Sequence, residues 1–299
     1  MKKSILENNN IMMNLMYITK HPEIAQIAEE AGVDWIFVDM EFIGKDVRQS
    51  GLDTVQNHHT VDDVRSIKAA VKKAKVLVRV NPIHDTMPDY VSSEDEINGV
   101  IEAGADIIML PFFKTVIEVE RFVKAVNGRA KCCLLLETPE AVAILEDIIA
   151  VPGIDMIHLG LNDMHLALGM KFMFELLANG AVDKWTNFIK KKNIPFGFGG
   201  IAALDGGAVP GRMILKEHYR LGSQQVIVSR SFCNTDQVTD INEVREIFQN
   251  GISEIRALES ECKKQTAEYF EQNRKATQKV IEEFVKKTID NEFTLNRMF

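Results

Sequence analysis

The side chains able to do chemistry stand at the ends of short apolar runs. Asp39 and Glu41 follow Trp35-Ile36-Phe37-Val38 and, two residues apart, share one face of an extended chain. Arg79 and Asn81 close the run through Val76-Leu77-Val78. Glu137 directly follows Cys132-Cys133-Leu134-Leu135-Leu136, and Asn162 and Asp163 follow the run that ends at Gly160. Ser229, Arg230 and Ser231 follow Val226-Ile227-Val228. Two carboxylates at neighbouring run ends, with an arginine opposite, suit a hard divalent ion and an anionic substrate. Mg²⁺ is typically held by one or two carboxylates, with water and substrate oxygens completing its shell. An arginine in such a place needs a carboxylate or a ligand to offset its desolvation. Plainer readings stand beside these. Thr138 can cap a helix that begins at Pro139, where a preceding carboxylate favours the positive end, and Asp163 reads equally as a turn or capping residue.

The elements that must position these groups have a regular rhythm. Apolar runs at 11–17, 34–39, 75–80, 105–110, 131–136, 155–160, 195–201 and 225–229 alternate with helical spacing at 22–31, 60–73, 94–103, 115–126, 139–149, 171–191 and 210–221. Three helix-to-strand turns repeat one signal: Ala31-Gly32-Val33-Asp34, Ala103-Gly104-Ala105-Asp106 and Pro152-Gly153-Ile154-Asp155. A glycine just past a helix end accepts the left-handed backbone needed there, and the aspartate opens the next strand. Strands apolar on both faces and separated by helices imply a parallel sheet. Eight such units favour a closed (β/α)8 TIM barrel over residues 1–250, with the site at the C-terminal ends of the strands. Residues 238–289 read as one long helix or two. Ile241, Val244, Phe248, Gly251, Ile255, Leu258 and Cys262 form a stripe there, and 251–299 are expected to be a C-terminal helical extension. The stripe exceeds what one barrel helix needs, so it lies across its own barrel or reaches a neighbouring subunit. The expectation is a homo-oligomer in which residues 238–270 cross to a neighbour and help roof the site.

Composition narrows the partners. A hydrophobic share of 46% with 26% charged residues excludes a disordered chain. A net charge of −8 makes the chain a poor ligand for polyanions, so no nucleic acid or anionic membrane is expected. No run approaches the ~18 apolar residues of a membrane span. The stretch from Ile11 to Ile18 is broken by Asn14 and lacks a small-residue cleavage site, so no signal peptide is read. Four cysteines without zinc spacing fit the reducing cytoplasm.

Five motifs in order resemble one family: Asp39-x-Glu41, Val78-Arg79-Val80-Asn81, Gly104-Ala105-Asp106 with Leu110-Pro111, Leu134 to Thr138, and Pro152 to Asp155 with Gly160-x-x-Asp163. Over about residues 24–170 the chain is similar to the HpcH/HpaI class II aldolases and citrate lyase β-subunits. The resemblance implies a barrel enzyme using Mg²⁺ or Mn²⁺ to make or break carbon–carbon bonds beside the enolate of a pyruvate-like 2-oxo acid or an acyl-CoA. It implies Glu137 and Asp163 as metal ligands, Arg79 as the substrate arginine, and Asp39 and Glu41 as the strand-two carboxylates. Asn81 and Asn162 join Arg79 as substrate-binding candidates. Such relatives also often pack or exchange the C-terminal helix between subunits. The metal would act as a Lewis acid while Arg79 shares the developing negative charge, and no Schiff-base lysine is needed.

One departure matters. The aldolase branch carries a histidine directly after Asp-x-Glu, where this chain has Phe42. His58 and His59 are taken as catalytic replacements, with His84 as a further candidate and His165 near Asp163, although a loop histidine is commonly solvated or structural. The glycine-rich run from Gly197 to Gly207 reads as tight packing at a barrel end rather than a phosphate cradle. Three functions compete: a metal-dependent aldolase or lyase of a 2-oxo acid, a CoA-thioester lyase or hydrolase of the citrate lyase kind, and a non-catalytic barrel serving as a subunit or ligand-binding module.

Overall fold

A computed structural model describes residues 12–45, 59–235 and 237–295. Eight parallel strands close into one barrel in chain order: β1 (Asn14–Ile18), β2 (Trp35–Asp39), β3 (Lys75–Arg79), β4 (Ile107–Leu110), β5 (Lys131–Leu136), β6 (Met156–Leu159), β7 (Phe196–Ile201) and β8 (Gln225–Val228). The described helices around it are α1 (Pro22–Ala31), α2 (Val61–Ala70), α3 (Ser93–Glu102), α4 (Val116–Val126), α5 (Pro139–Ala143), α6 (Leu145–Ile148), α7 (Leu161–Ala167), α8 (Glu175–Ala178), α9 (Ala181–Lys191), α10 (Gly211–Leu221), α11 (Ile241–Cys262) and α12 (Ala267–Leu295). This is the expected TIM barrel with C-terminal helices. The stretch 171–191 is two helices rather than one, because Gly180 breaks it at φ +79°. None of the described helices is long and apolar enough to cross a membrane.

The strand period of two divides the core. Met16, Trp35, Phe37, Leu77, Ile107, Met109, Cys133, Leu135 and Met156 fill the barrel interior, while their alternating neighbours pack outward beneath the helices. The adjacent Cys132 and Cys133 accordingly face opposite sides, and all four cysteines are free and buried.

The aspartates of the repeated helix-to-strand turn close the barrel floor. Asp34 accepts the Leu15 N–H, Asp106 that of Val76 and Asp155 that of Cys132, each at 2.8 Å. Each one satisfies the first rungs of the preceding strand, where a backbone donor would otherwise be left over.

The glycine-rich run is packing. A Cβ at Gly197 would lie 2.1 Å from the Gln225 carbonyl oxygen, and the bare strand lets Gln225 reach across to the Ile157 carbonyl (3.3 Å). The N–H groups opening α10 are used locally, Gly211 to Gly206, Arg212 to Leu204 and Met213 to Pro210.

The apolar stripe of the C-terminal helix packs against this chain's own barrel helices. Val244, Phe248, Ile252, Ile255, Leu258 and Cys262 are buried as α11 packs on α1 and α10. Phe248 meets Tyr17 edge-on (centroids 4.8 Å) and Phe232 (5.5 Å). The buried Glu259 accepts from the Met13 N–H (2.9 Å), the Tyr219 hydroxyl (3.0 Å) and Arg256 (2.7 Å), tying α11 to the chain entering β1 and to α10. This helix runs unbroken through residue 250, and the turn comes only after Cys262. The following α12 packs on α8 and α10. The docking of α11 predicts that Phe248→Ala costs about 3–5 kcal/mol, as for other buried aromatics cut back to alanine. Ile241→Ala, at a half-buried helix start, should cost under about 1 kcal/mol. Urea unfolding of the two variants measures the difference.

Candidate active site

The inward rows of β2 and β3 carry the first charges. Phe37, Asp39 and Glu41 follow one another on one row, Leu77 and Arg79 on the next, and the register sets Asp39 directly opposite Arg79. Arg79 donates Nε–H to Asp39 Oδ1 (2.7 Å) and Nη2–H to Oδ2 (2.8 Å), a two-pronged fork. Its Nη1 lies 3.3 Å from Glu41 Oε2, and its guanidinium sits 5.7 Å from the centroid of the Phe37 ring. Burial by itself would lower the Arg79 pKa, but Asp39 and Glu41 hold it well above the ordinary arginine value.

A fourth member was missed in the sequence. Lys45 is buried, with Nζ 3.1 Å from Asp39 Oδ2 and 3.7 Å from Glu41 Oε2. It stands four residues past Glu41 and off the end of any strand, so only a search for cations near the Asp-x-Glu pair would have found it.

Across the mouth, Glu137 continues the inward row Cys133, Leu135 on β5. Thr138, not Glu137, caps the next helix, accepting the Ala141 N–H (3.2 Å) with Pro139 in the first turn. That frees Glu137 to turn inward, where Oε1 accepts the Phe112 N–H at 3.0 Å. Phe112 presents that N–H from φ +50°, a conformation a bulky residue seldom adopts. Gly160 at the end of β6 leaves the room: a Cβ there would lie 2.7 Å from Glu137 Cβ and Oε2. Asp163 follows in the first turn of α7. Burial, then the nearby Asp163 and Glu41 charges, push the Glu137 pKa well above the carboxylate range, and Arg79 opposes them.

The other candidates fall into supporting places. Asn81 is fully buried and all its polar ends are used by the chain: Oδ1 accepts the N–H groups of Phe42 and Ile43 (both 2.9 Å), and Nδ2 donates to Glu96 (2.9 Å) and the Met40 carbonyl (3.4 Å). It shapes the loop after β2. Asn162 is exposed at the start of α7. His59 accepts the Asp39 N–H at Nδ1 (2.9 Å), and burial lowers its pKa to about 4 against the pull of Asp39, so it is a neutral holder of the β2 end. His58 lies outside the described residues. His84 turns its nitrogens to the carbonyls of Pro82 and Val91 within its own loop. His165 is buried on α7. His158 points into the barrel from β6, with Nε2 3.1 Å from the Gly199 carbonyl, and burial brings its pKa to about 4.

Four carboxylates, Asp39, Glu41, Glu137 and Asp163, thus share the mouth with two cations, Arg79 and Lys45. Burial beside Asp163 and Glu41 disfavours the charged form of Glu137, and a cation held there would favour it. No cage of three or more His, Cys, Asp or Glu occurs among the described residues. Glu137 and Asp163 are the pair that could hold an ion which takes one or two carboxylates and completes its shell with water and substrate, as Mg²⁺ and Mn²⁺ do.

A sequence model of the HpcH/HpaI aldolase/citrate lyase family matches residues 13–175, a span holding all six of these charged groups. Among curated proteins, a 4-hydroxy-2-oxovalerate aldolase of Novosphingobium aromaticivorans is 25% identical over 196 residues, covering 56% of this chain and 67% of that protein. The fold is shared with an HpcH/HpaI aldolase/citrate lyase family protein of Burkholderia cenocepacia J2315 (TM-score 0.58, 17% identity, 81% of this chain and 97% of that one). It is shared also with citrate synthase SbnG (TM-score 0.57, 15% identity, 81% and 98%).

The Glu137 environment makes a signed prediction for metal-free protein. In the unfolded chain Glu137 loses its proton from about pH 4 upward, while in the folded chain it keeps it to higher pH. The folded state then binds more protons, so this group's contribution falls as pH rises. Glu137→Gln keeps an acceptor for the Phe112 N–H and removes the charge. In chelator at pH 8 it should melt above the parent by about 2–4 °C per kcal/mol relieved, and the gap should close toward pH 4. Melting curves across that range check it.

Proposed function

The chain belongs to the HpcH/HpaI aldolase/citrate lyase family, and from that premise we propose that it is a divalent-metal-dependent carbon–carbon lyase acting on a pyruvate-like 2-oxo acid. The observation that carries the reading is the Glu137 carboxyl, buried beside Asp163 and Glu41 and facing Arg79. In this reading Glu137 and Asp163 hold Mg²⁺ or Mn²⁺, which supplies Lewis-acid polarisation of the carbonyl of the 2-oxo acid.

The rest is done by the chain. Asp39 and Glu41 hold the Arg79 fork so that its plane does not turn when a substrate arrives, and their contacts use only part of its five donors. The remaining donors serve a substrate carboxylate and the charge that develops during carbon–carbon cleavage. Lys45 draws on the same two carboxylates and keeps either from competing for the ion. The Phe112 N–H fixes Glu137 at one oxygen and leaves the other for a ligand. Burying this much charge in a barrel mouth is costly without a ligand, which argues against a barrel kept only as a subunit or scaffold.

Calorimetry with Mn²⁺ and then oxalate, a pyruvate-enolate mimic, tests the reading. Glu137→Ala and Asp163→Ala should each weaken Mn²⁺ by at least about tenfold, since each removes a charged ligand. Arg79→Lys should bind Mn²⁺ like the parent but take up oxalate at least about tenfold more weakly, because a point charge does not replace the planar fork. Unchanged Mn²⁺ affinity in both carboxylate variants would overturn the metal assignment.

A further inference from the structure

Phe42 directly follows Glu41 at the rim, and among the described residues it is one of the few large apolar side chains left exposed (39%). Its backbone N–H is pinned to Asn81 Oδ1 at 2.9 Å. Its ring meets Tyr90, in the loop after β3, edge to face, with centroids 4.9 Å apart and planes at 88°. The Tyr90 hydroxyl is anchored on Glu96 Oε1 (3.2 Å), and the same oxygen accepts Asn81 Nδ2–H (2.9 Å). One buried pair, Asn81 and Glu96, therefore fastens both aromatic residues, one by its backbone and the other by its hydroxyl. His84 lies 5.8 Å from Tyr90 and turns its nitrogens to its own loop, and Val91 beside Tyr90 is exposed as well. The ring pair thus stands one residue past Glu41, where the chain leaves the C-terminal end of β2, and is held from two sides.

We infer that the Phe42–Tyr90 ring pair is the specificity wall for the second substrate, the carbonyl acceptor, and that it favours an acceptor with an apolar substituent over a hydroxylated one. The inference rests on the lyase reading above. With Arg79 and the metal carboxylates answering the charged end of a 2-oxo acid, the inference sets the acceptor beyond them toward the rim, where Phe42 follows Glu41. Hydroxyl groups set against Phe42 would lose water without gaining a partner, whereas an alkyl chain gains contact with a ring already held in place. In the condensing direction C3 of pyruvate gives up a proton and bonds to the aldehyde carbon, while the aldehyde oxygen takes up a proton, so no other reactant is consumed.

The test uses the full chain loaded with Mn²⁺, pyruvate, and either butanal or glycolaldehyde as acceptor. The ratio of the two kcat/KM values is read within each protein, so a general loss of activity cancels. The parent should favour butanal. Phe42→Asn should lower the ratio by about tenfold, and Phe42→Leu, which keeps an apolar side chain, should hold it within about threefold of the parent. A parent that prefers glycolaldehyde, or a ratio unchanged in Phe42→Asn, overturns the inference. Mn²⁺-dependent exchange of the pyruvate methyl protons in D₂O separates the two levels. Exchange together with an unmoved ratio sinks the wall alone, whereas no exchange and no product with either aldehyde sinks the lyase reading and the wall with it.

Discussion

Burying an arginine at the mouth of a closed barrel is tolerable only because the register of two strands sets a carboxylate directly across from it. Asp39 and Arg79 are register partners on β2 and β3, and their fork is completed by Glu41 and Lys45. Each of the four alone would be an expensive buried charge, and together they form a neutral set. The loop after β2 is shaped to keep the set whole: Asn81 gathers the Phe42 and Ile43 N–H groups, and His59 takes the Asp39 N–H. The central Asp39–Arg79 pair is thus held on strands, and the loop after β2 is tied back to it.

The opposite wall is built by leaving side chains out. Gly160 on the inward row of β6 makes room for Glu137, and Gly197 on β7 makes room for Gln225. Absent side chains on two neighbouring strands thus admit two polar side chains from the strands beside them. Phe112 holds an unfavourable backbone angle so that its N–H meets Glu137, and the surrounding barrel supports that strain.

The far end of the chain stabilises the near end. Arg256 of α11 donates to the Met13 and Gly32 carbonyls, to Asp34 Oδ2 and to Glu259, so one side chain joins the last barrel helix to the entry of β1 and to the turn before β2. Asp34 in turn caps the first rung of β1. The strand that carries Asp39 therefore starts from a point fixed by a helix more than two hundred residues downstream.

Much of this was legible in the residues. The alternation of two-sided apolar runs with helical spacing is local, and it located all eight strands and the barrel class. The Gly-x-Asp turns were visible too, although not that each aspartate serves the strand before it. Asp39, Arg79, Glu137 and Asp163 could be picked out because an ionisable group at the end of an apolar run conflicts with its surroundings. Tertiary structure decided the rest. Nothing in the sequence shows that Asp39 faces Arg79 in register, that a loop lysine returns to the same carboxylates, or that Asn81 spends its amide on the backbone and on Glu96. The first and last depend on contacts between residues about 15 to 41 positions apart, and the lysine depends on how its loop folds back after β2. The C-terminal stripe shows the same division: its spacing of three and four determined a helix with one apolar face, and only the gap between α1 and α10 determined that this face is buried on its own barrel.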